Sequence, residues 1–195
     1  MALIVGAAVG ARLSESRAER VSTAVKASAV GRTARRSLVA ARTPARREMP
    51  IPVRISIPAI GVDAPIVRLG LNPHRTIQVP KNFAEAGWFQ PGPEPGERGA
   101  AVIVGHLDSR LGPGVFYRLH ELPVGAVIKI KVQDGRTVRF IARSMIRVPK
   151  SRFPTTRVYV HTGPPALRLV TCAGKLNWAT GHHRDNYIVF ATLAR

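Results

Sequence analysis

Cysteine is nearly missing from this chain: its 195 residues hold a single one, Cys172. One thiol makes no internal disulfide, so a disulfide scaffold is excluded, while cytosol and cell exterior both stay open. Acidic residues are scarce, 11 against 30 Lys and Arg, for a formal net charge of +19. That imbalance favours an anionic neighbourhood such as nucleic acid, anionic lipid or cell-wall polymer. Aromatic residues make up only 6% of the chain. They do not interleave with Lys and Arg along the apolar segments, so the stacking platforms that unpaired bases need are lacking. Nucleic acid is therefore not an expected partner. The N-terminal apolar run Ala2 to Ala11 is ten residues long, about half of the ~20 that a spanning helix requires. It also lacks the basic start of a secretory signal. No His, Asp, Glu and Cys set has zinc-ligand spacing, and no repeat is present. No metal or cofactor is expected.

What is present divides at Met49-Pro50-Ile51-Pro52. Residues 1–49 are rich in Ala, Arg and Ser and contain no aromatic residue. Two readings of their start compete: the end of a longer membrane segment, truncated here and closed by Arg12 and Arg17, or a weak helix. The first is the expectation, with 12–48 as a basic linker that is flexible or weakly helical. Residues 50–195 form the expected folded domain, long enough for one core. Positive charge runs through both parts, +7 over residues 1–50 and +12 over 51–195.

Within the domain the apolar pattern is that of strands. Val53 to Pro58 alternates, and Thr76 to Pro80 is short and extended. Ala100 to Val104 is continuously apolar, as a buried strand would be. Ala126 to Val132 and Arg136 to Arg143 flank Asp134-Gly135, the signature of a tight hairpin. Val158 to Val160, Leu167 to Thr171 and Tyr187 to Thr192 follow, and Val115 to Leu122 reads as one or two helical turns. About eight short strands, little helix, 16 prolines and 17 glycines predict a mainly β domain closed into a barrel.

Cys172 ends the apolar run Leu167-Arg168-Leu169-Val170-Thr171. A lone thiol fits inert packing as readily as chemistry, and a strand-end thiol near histidines is a candidate nucleophile. Six histidines could partner it. His74, His120 and His161 fall in turns or on the surface, and His182 and His183 are neighbours in a polar loop. His106 differs, because it ends the most apolar strand directly after Gly105. Two reactive residue types at the ends of buried strands are what a rigid scaffold presents as a site. Acyl transfer to a thiol builds charge on a carbonyl oxygen that a donor must meet, and Arg184, before the last strand, is the candidate.

These residues resemble the sortases, cysteine transpeptidases of Gram-positive bacteria. The similarity covers about residues 51–195. It is most like the actinobacterial class F group through Ile55-Ser56-Ile57-Pro58-Ala59-Ile60-Gly61-Val62, Ala86-Gly87-Trp88-Phe89, Gly92-Pro93-Glu94-Pro95-Gly96, Gly105-His106-Leu107-Asp108-Ser109 and Leu169-Val170-Thr171-Cys172. The resemblance implies an eight-stranded sortase barrel with short helices. It implies that Cys172 attacks the Thr–Gly carbonyl of an LPXTG-like sorting signal, and that an amine on a peptidoglycan precursor, or water, resolves the thioester. His106 would be the acid/base, Arg184 would bind substrate and steady the oxyanion, and Thr171 would help contact substrate. In the family pattern the arginine stands five residues before the alanine of the closing strand; counting back from Ala191 gives Asn186, and Arg184 stands two residues earlier. The implied location is the extracytoplasmic face of a Gram-positive membrane, with membrane association if the N-terminus is extended. The competing reading is a non-catalytic basic β-barrel that binds an anionic cell-surface polymer, with Cys172 inert.

Overall fold

The computed structural model describes residues 50–177 and 181–195. The expectations for residues 1–49 lie outside the described residues. Ten strands follow one another: β1 (Pro52–Ile57), β2 (Val62–Leu69), β3 (Ala86–Phe89), β4 (Ala100–Gly105), β5 (Asp108–Ser109), β6 (Gly112–Pro113), β7 (Val127–Val132), β8 (Thr137–Pro149), β9 (Ala166–Asn177) and β10 (His182–Leu193). Eight of them close a barrel in the order β1-β2-β3-β4-β9-β10-β8-β7, and β5 with β6 forms a small separate hairpin. The barrel is antiparallel except where β2 meets β3 and β4 meets β9. One α-helix, α1 (Thr155–Tyr159), and three 3-10 turns complete the described residues. No helix among the described residues is long and apolar enough to cross a membrane.

The expected hairpin forms as read. Gly135 takes φ +88°, a left-handed conformation that glycine adopts without strain, and Asp134 Oδ1 accepts from the Arg136 N–H. Alternation then fixes which residues point inward. Ile55, Ile57, Ile103, Leu167, Leu169, Val189 and Ala191 fill the barrel together with Phe116, Phe140 and Trp88. β4 and β9 show no alternation because both of their faces are covered. Their outward residues Val102, Val104, Val170 and Cys172 join a second cluster with Phe153 and Val158 on the barrel wall.

The strand count agrees with the sequence reading, but two members differ. Thr76 to Pro80 forms no barrel strand; it makes one bridge, Leu71 with Ile77, flanked by bonds from the Asn72 N–H to the Thr76 carbonyl and from the Gln78 N–H to the Gly70 carbonyl. Val158 to Val160 is not a strand either. Val158 lies in α1, with its N–H donating to the Pro154 carbonyl. Three apolar residues are too few to tell a helical turn from a strand. Their places are taken by β2 and β3. Pro65 disguised β2, because proline removes a ladder donor; it stands at the last pair with β1, Arg54 opposite Pro65. β3 is four residues long and buried throughout, so it shows no alternation.

Candidate active site

The parallel pairing of β4 with β9 stops where β4 ends, while β9 runs on to Asn177, so Cys172 lies within its strand rather than at its end. The last register pair between β4 and β9 is Val104 with Val170, and both side chains belong to the outer cluster. Two residues further along each chain stand His106 and Cys172. On the other side, β10 sets Asn186 directly opposite Cys172, and β8 sets Val148 opposite Asn186. Paired residues on neighbouring strands present their side chains to the same face. Cys172, Asn186 and Val148 therefore form one row across β9, β10 and β8 on the outer wall of the barrel, and His106 directly follows the end of β4, two residues past its last pair with β9.

His106 is 5% exposed. Its Nε2 lies 2.8 Å from the Pro80 carbonyl oxygen. A carbonyl only accepts, so Nε2 carries the hydrogen and Nδ1 is the nitrogen left to exchange a proton. The Phe83 ring packs on the imidazole with centroids 4.2 Å apart. The chain after His106 folds back over it: Phe116 N–H donates to the His106 carbonyl and Gly114 N–H to the Leu107 carbonyl. This wrap requires glycine at position 105, where a Cβ would lie 2.5 Å from Phe116 Cδ2 and 2.6 Å from Val115 Cγ1. Gly105→Ala is expected to destabilise the domain by about 1–3 kcal/mol through overpacking. Urea unfolding measures it, and a wild-type midpoint would show that Phe116 can yield.

Cys172 is 8% exposed. Burial pushes its thiol above the ordinary range; Lys150 pulls it back, and the Asp108 carboxylate adds a smaller upward push. Asn186 is fully buried, and neither its Nδ2 nor its Oδ1 has a hydrogen-bond partner in the protein. Orphaned polar atoms of this kind cost about 1–3 kcal/mol each. An amide beside the thiol can recover that cost from a ligand carbonyl and N–H.

The remaining candidates are placed differently. Thr171 is fully buried and pairs with Tyr187, and alternation turns its side chain away from the face that carries Cys172. Arg184 lies two residues before Asn186, past the Asp185–Ala173 pair, at the register break where β9 carries an extra residue, and it is exposed. No hydrogen bond or ion pair holds Arg184 among the described residues. The structure thus pairs Cys172 with Asn186, sets His106 just past the end of the neighbouring β4, and leaves Arg184 exposed.

His183 corrects the sequence reading. It lies in β10 rather than in a loop, and it is 8% exposed. Its Nδ1 sits 2.9 Å from the Gly174 carbonyl oxygen and its Nε2 2.9 Å from Asp108 Oδ1. These bonds tie the small β5–β6 hairpin to the end of β9, beside the thiol. The available signal was Asp108 itself, two residues after His106. Among the described residues no three His, Cys, Asp or Glu side chains converge on a metal position.

Comparison with known proteins bears on this arrangement. The family model for the sortase domain matches residues 55–194. No curated protein matches by sequence. Among solved structures, the chain is similar to sortase A from Corynebacterium diphtheriae at 23% identity, with 77% of this chain and 63% of that chain covered and a TM-score of 0.57. It is similar to sortase C-1 from Actinomyces oris at 22% identity, with 74% and 75% covered and a TM-score of 0.57. Sortase C2 of Group B Streptococcus pilus island 1 matches at 18% identity, with 73% of each chain covered and a TM-score of 0.57. The chain spans less than two thirds of the Corynebacterium chain, and these likenesses establish the fold.

Proposed function

The chain belongs to the sortase family, and from that premise we propose that it is a cysteine transpeptidase that cleaves an LPXTG-like sorting signal after Thr. The observation that carries this reading is the pairing of Cys172 on β9 with Asn186 on β10, next to the end of the β4–β9 ladder that His106 follows. In the first step the Cys172 sulfur attacks the Thr carbonyl carbon, and the C–N bond to Gly breaks. His106 Nδ1 takes the thiol proton and delivers it to the leaving amine. An amine on a peptidoglycan precursor, or water, then attacks the thioester carbonyl carbon and gives its proton to the same nitrogen; the C–S bond breaks and the Cys172 sulfur leaves with that proton. Asn186 Nδ2 donates to the oxyanion, the charge that most needs a preorganised donor. Arg184, at the rim, reaches along the bound peptide. Thr171, buried on the other face of β9, supports the strand beneath the nucleophile as part of the substrate-binding element.

The phrases from Ile55 to Val62 and from Gly105 to Ser109 support assignment to the class F group. The family supports action at the extracytoplasmic face of a Gram-positive cell, with secreted proteins as donors. A non-catalytic binding barrel is not favoured, because such a module gives no reason to set an orphaned buried amide opposite a thiol.

Incubation with a panel of LPXTG-type pentapeptide substrates, with and without hydroxylamine, tests the reading. Cleavage after Thr is expected, and hydroxylamine, a strong nucleophile, is expected to divert the product to the hydroxamate. Failure to cleave any member of the panel under either condition would sink it.

A further inference from the structure

Among the described residues, Lys150 is the one lysine whose ammonium is buried without a hydrogen-bond partner. It opens the 3-10 turn Lys150–Arg152 that follows β8, two residues past Val148, which stands opposite Asn186. Its Nζ is buried and has no hydrogen-bond partner among the described residues. A buried ammonium without an acceptor is expensive, and folds keep one only where an opposite charge meets it in some state. No carboxylate pairs with it in the described residues. The group it acts on is the Cys172 thiol, which it pulls down against the upward push of burial.

We infer that Lys150 is the built-in counter-cation of Cys172: its ammonium is held dry beside the sulfur to stabilise the thiolate that attacks substrate. This deepens the proposed function and rests on it for the identity of the reaction. The step itself is a proton transfer. The thiol S–H bond breaks, the proton moves to His106 Nδ1, and the electron pair stays on sulfur opposite the Lys150 ammonium. In this arrangement Asn186 and Lys150 divide the work that one arginine would do, the amide meeting the oxyanion and the ammonium meeting the nucleophile. That division explains how Arg184 can stand exposed at the rim.

Other charged groups face the sulfur from neighbouring elements. Asp108, from the β5–β6 hairpin, opposes thiolate formation and is itself engaged by His183 of β10. His106 follows β4. His182, at the start of β10, is pulled below its ordinary range by burial first and by Lys150 second. A change at Lys150 must be read against these groups, so Asp108→Asn serves as a control that removes the opposing charge.

The test is the pH dependence of Cys172 alkylation by iodoacetamide, which needs no peptide. Lys150→Met keeps the length of the side chain and removes its charge. The alkylation profile is expected to move to higher pH, with the rate at neutral pH falling roughly tenfold or more, as for loss of one opposite charge at close range. Lys150→Arg is expected to restore most of the rate, and Asp108→Asn to move the profile the other way. Because the Met variant loses a buried unpaired charge, its thermal midpoint is expected not to fall. A wild-type alkylation profile in Lys150→Met, or in Lys150→Gln should the Met variant not fold, would overturn the inference. The two readings fail separately. If no peptide is cleaved but the profile shifts, the pairing stands and the substrate assignment is wrong. If peptides are cleaved and the profile does not shift, the reverse holds.

Discussion

Cys172→Ala is expected to abolish peptide cleavage and hydroxamate formation together, a loss of at least about a thousandfold. The size of the effect follows from the lack of any substitute nucleophile. Cys172 is the only cysteine in the chain. The neighbouring hydroxyl, Thr171 Oγ1, is fully buried on the other face of β9. Asn186, Val148 and His106 offer only an amide, a valine and an imidazole. The fold should tolerate the change, since the sulfur contributes one small group to a wall already built from Val104, Val170, Ile188 and Phe190. Peptide cleavage followed by mass spectrometry, beside a thermal melt, checks both halves. Retained cleavage in Cys172→Ala would remove the thiol from the mechanism. Cys172→Ser is expected to be nearly as inactive, because the hydroxyl is a far weaker nucleophile than a thiolate.

The buried position of this thiol has a consequence for pH. Burial holds the neutral form, so the thiolate is a minor species at neutral pH. Activity that depends on the thiolate therefore rises as pH increases through and beyond the ordinary thiol range. For folding the sign is opposite. A thiol whose folded-state value is raised stabilises the fold below the ordinary thiol range, and that contribution is lost as pH climbs toward the raised value. The site therefore gains nucleophile under the conditions that begin to weaken the fold.

Much of this site was legible in the sequence because it sits where apolar runs stop, although β9 continues past Cys172 to Asn177. Ala100 to Gly105 and Leu167 to Thr171 are continuous apolar runs, and the chemistry begins where each run stops. Parallel pairing of β4 with β9 then brings His106 and Cys172 to the same place, a relation across about 66 residues that no local pattern encodes. The hairpin at Asp134-Gly135 was equally readable, since its turn chemistry is local. β2 and β3 were hidden by Pro65 and by brevity, and both needed the rest of the barrel to become strands. His183 was missed because adjacent histidines in a polar stretch look solvated; its burial comes from Asp108, which the fold delivers from a distant hairpin. Lys150 left even less trace. A single lysine after Val148-Pro149 differs in no way from the other basic residues of this chain until the barrel closes over its ammonium.

His106→Gln is expected to slow cleavage of a peptide amide by about 10²- to 10⁴-fold, the range for loss of a general acid–base group. Glutamine keeps a donor that can bond the Pro80 carbonyl, as Nε2 does at 2.8 Å, so the wrap of Gly114 and Phe116 over this position should survive. What it cannot do is exchange a proton where Nδ1 does. That separates the two services of the imidazole. An amide leaving group must be protonated as it departs, whereas an activated ester of the same peptide leaves as a stable anion. At a pH high enough to form the thiolate without a base, His106→Gln should therefore acylate with the ester at close to the wild-type rate and remain slow with the amide. Measured side by side, equal losses on ester and amide would show that position 106 only shapes the pocket. A loss confined to the amide would place the proton of the leaving amine on His106 Nδ1.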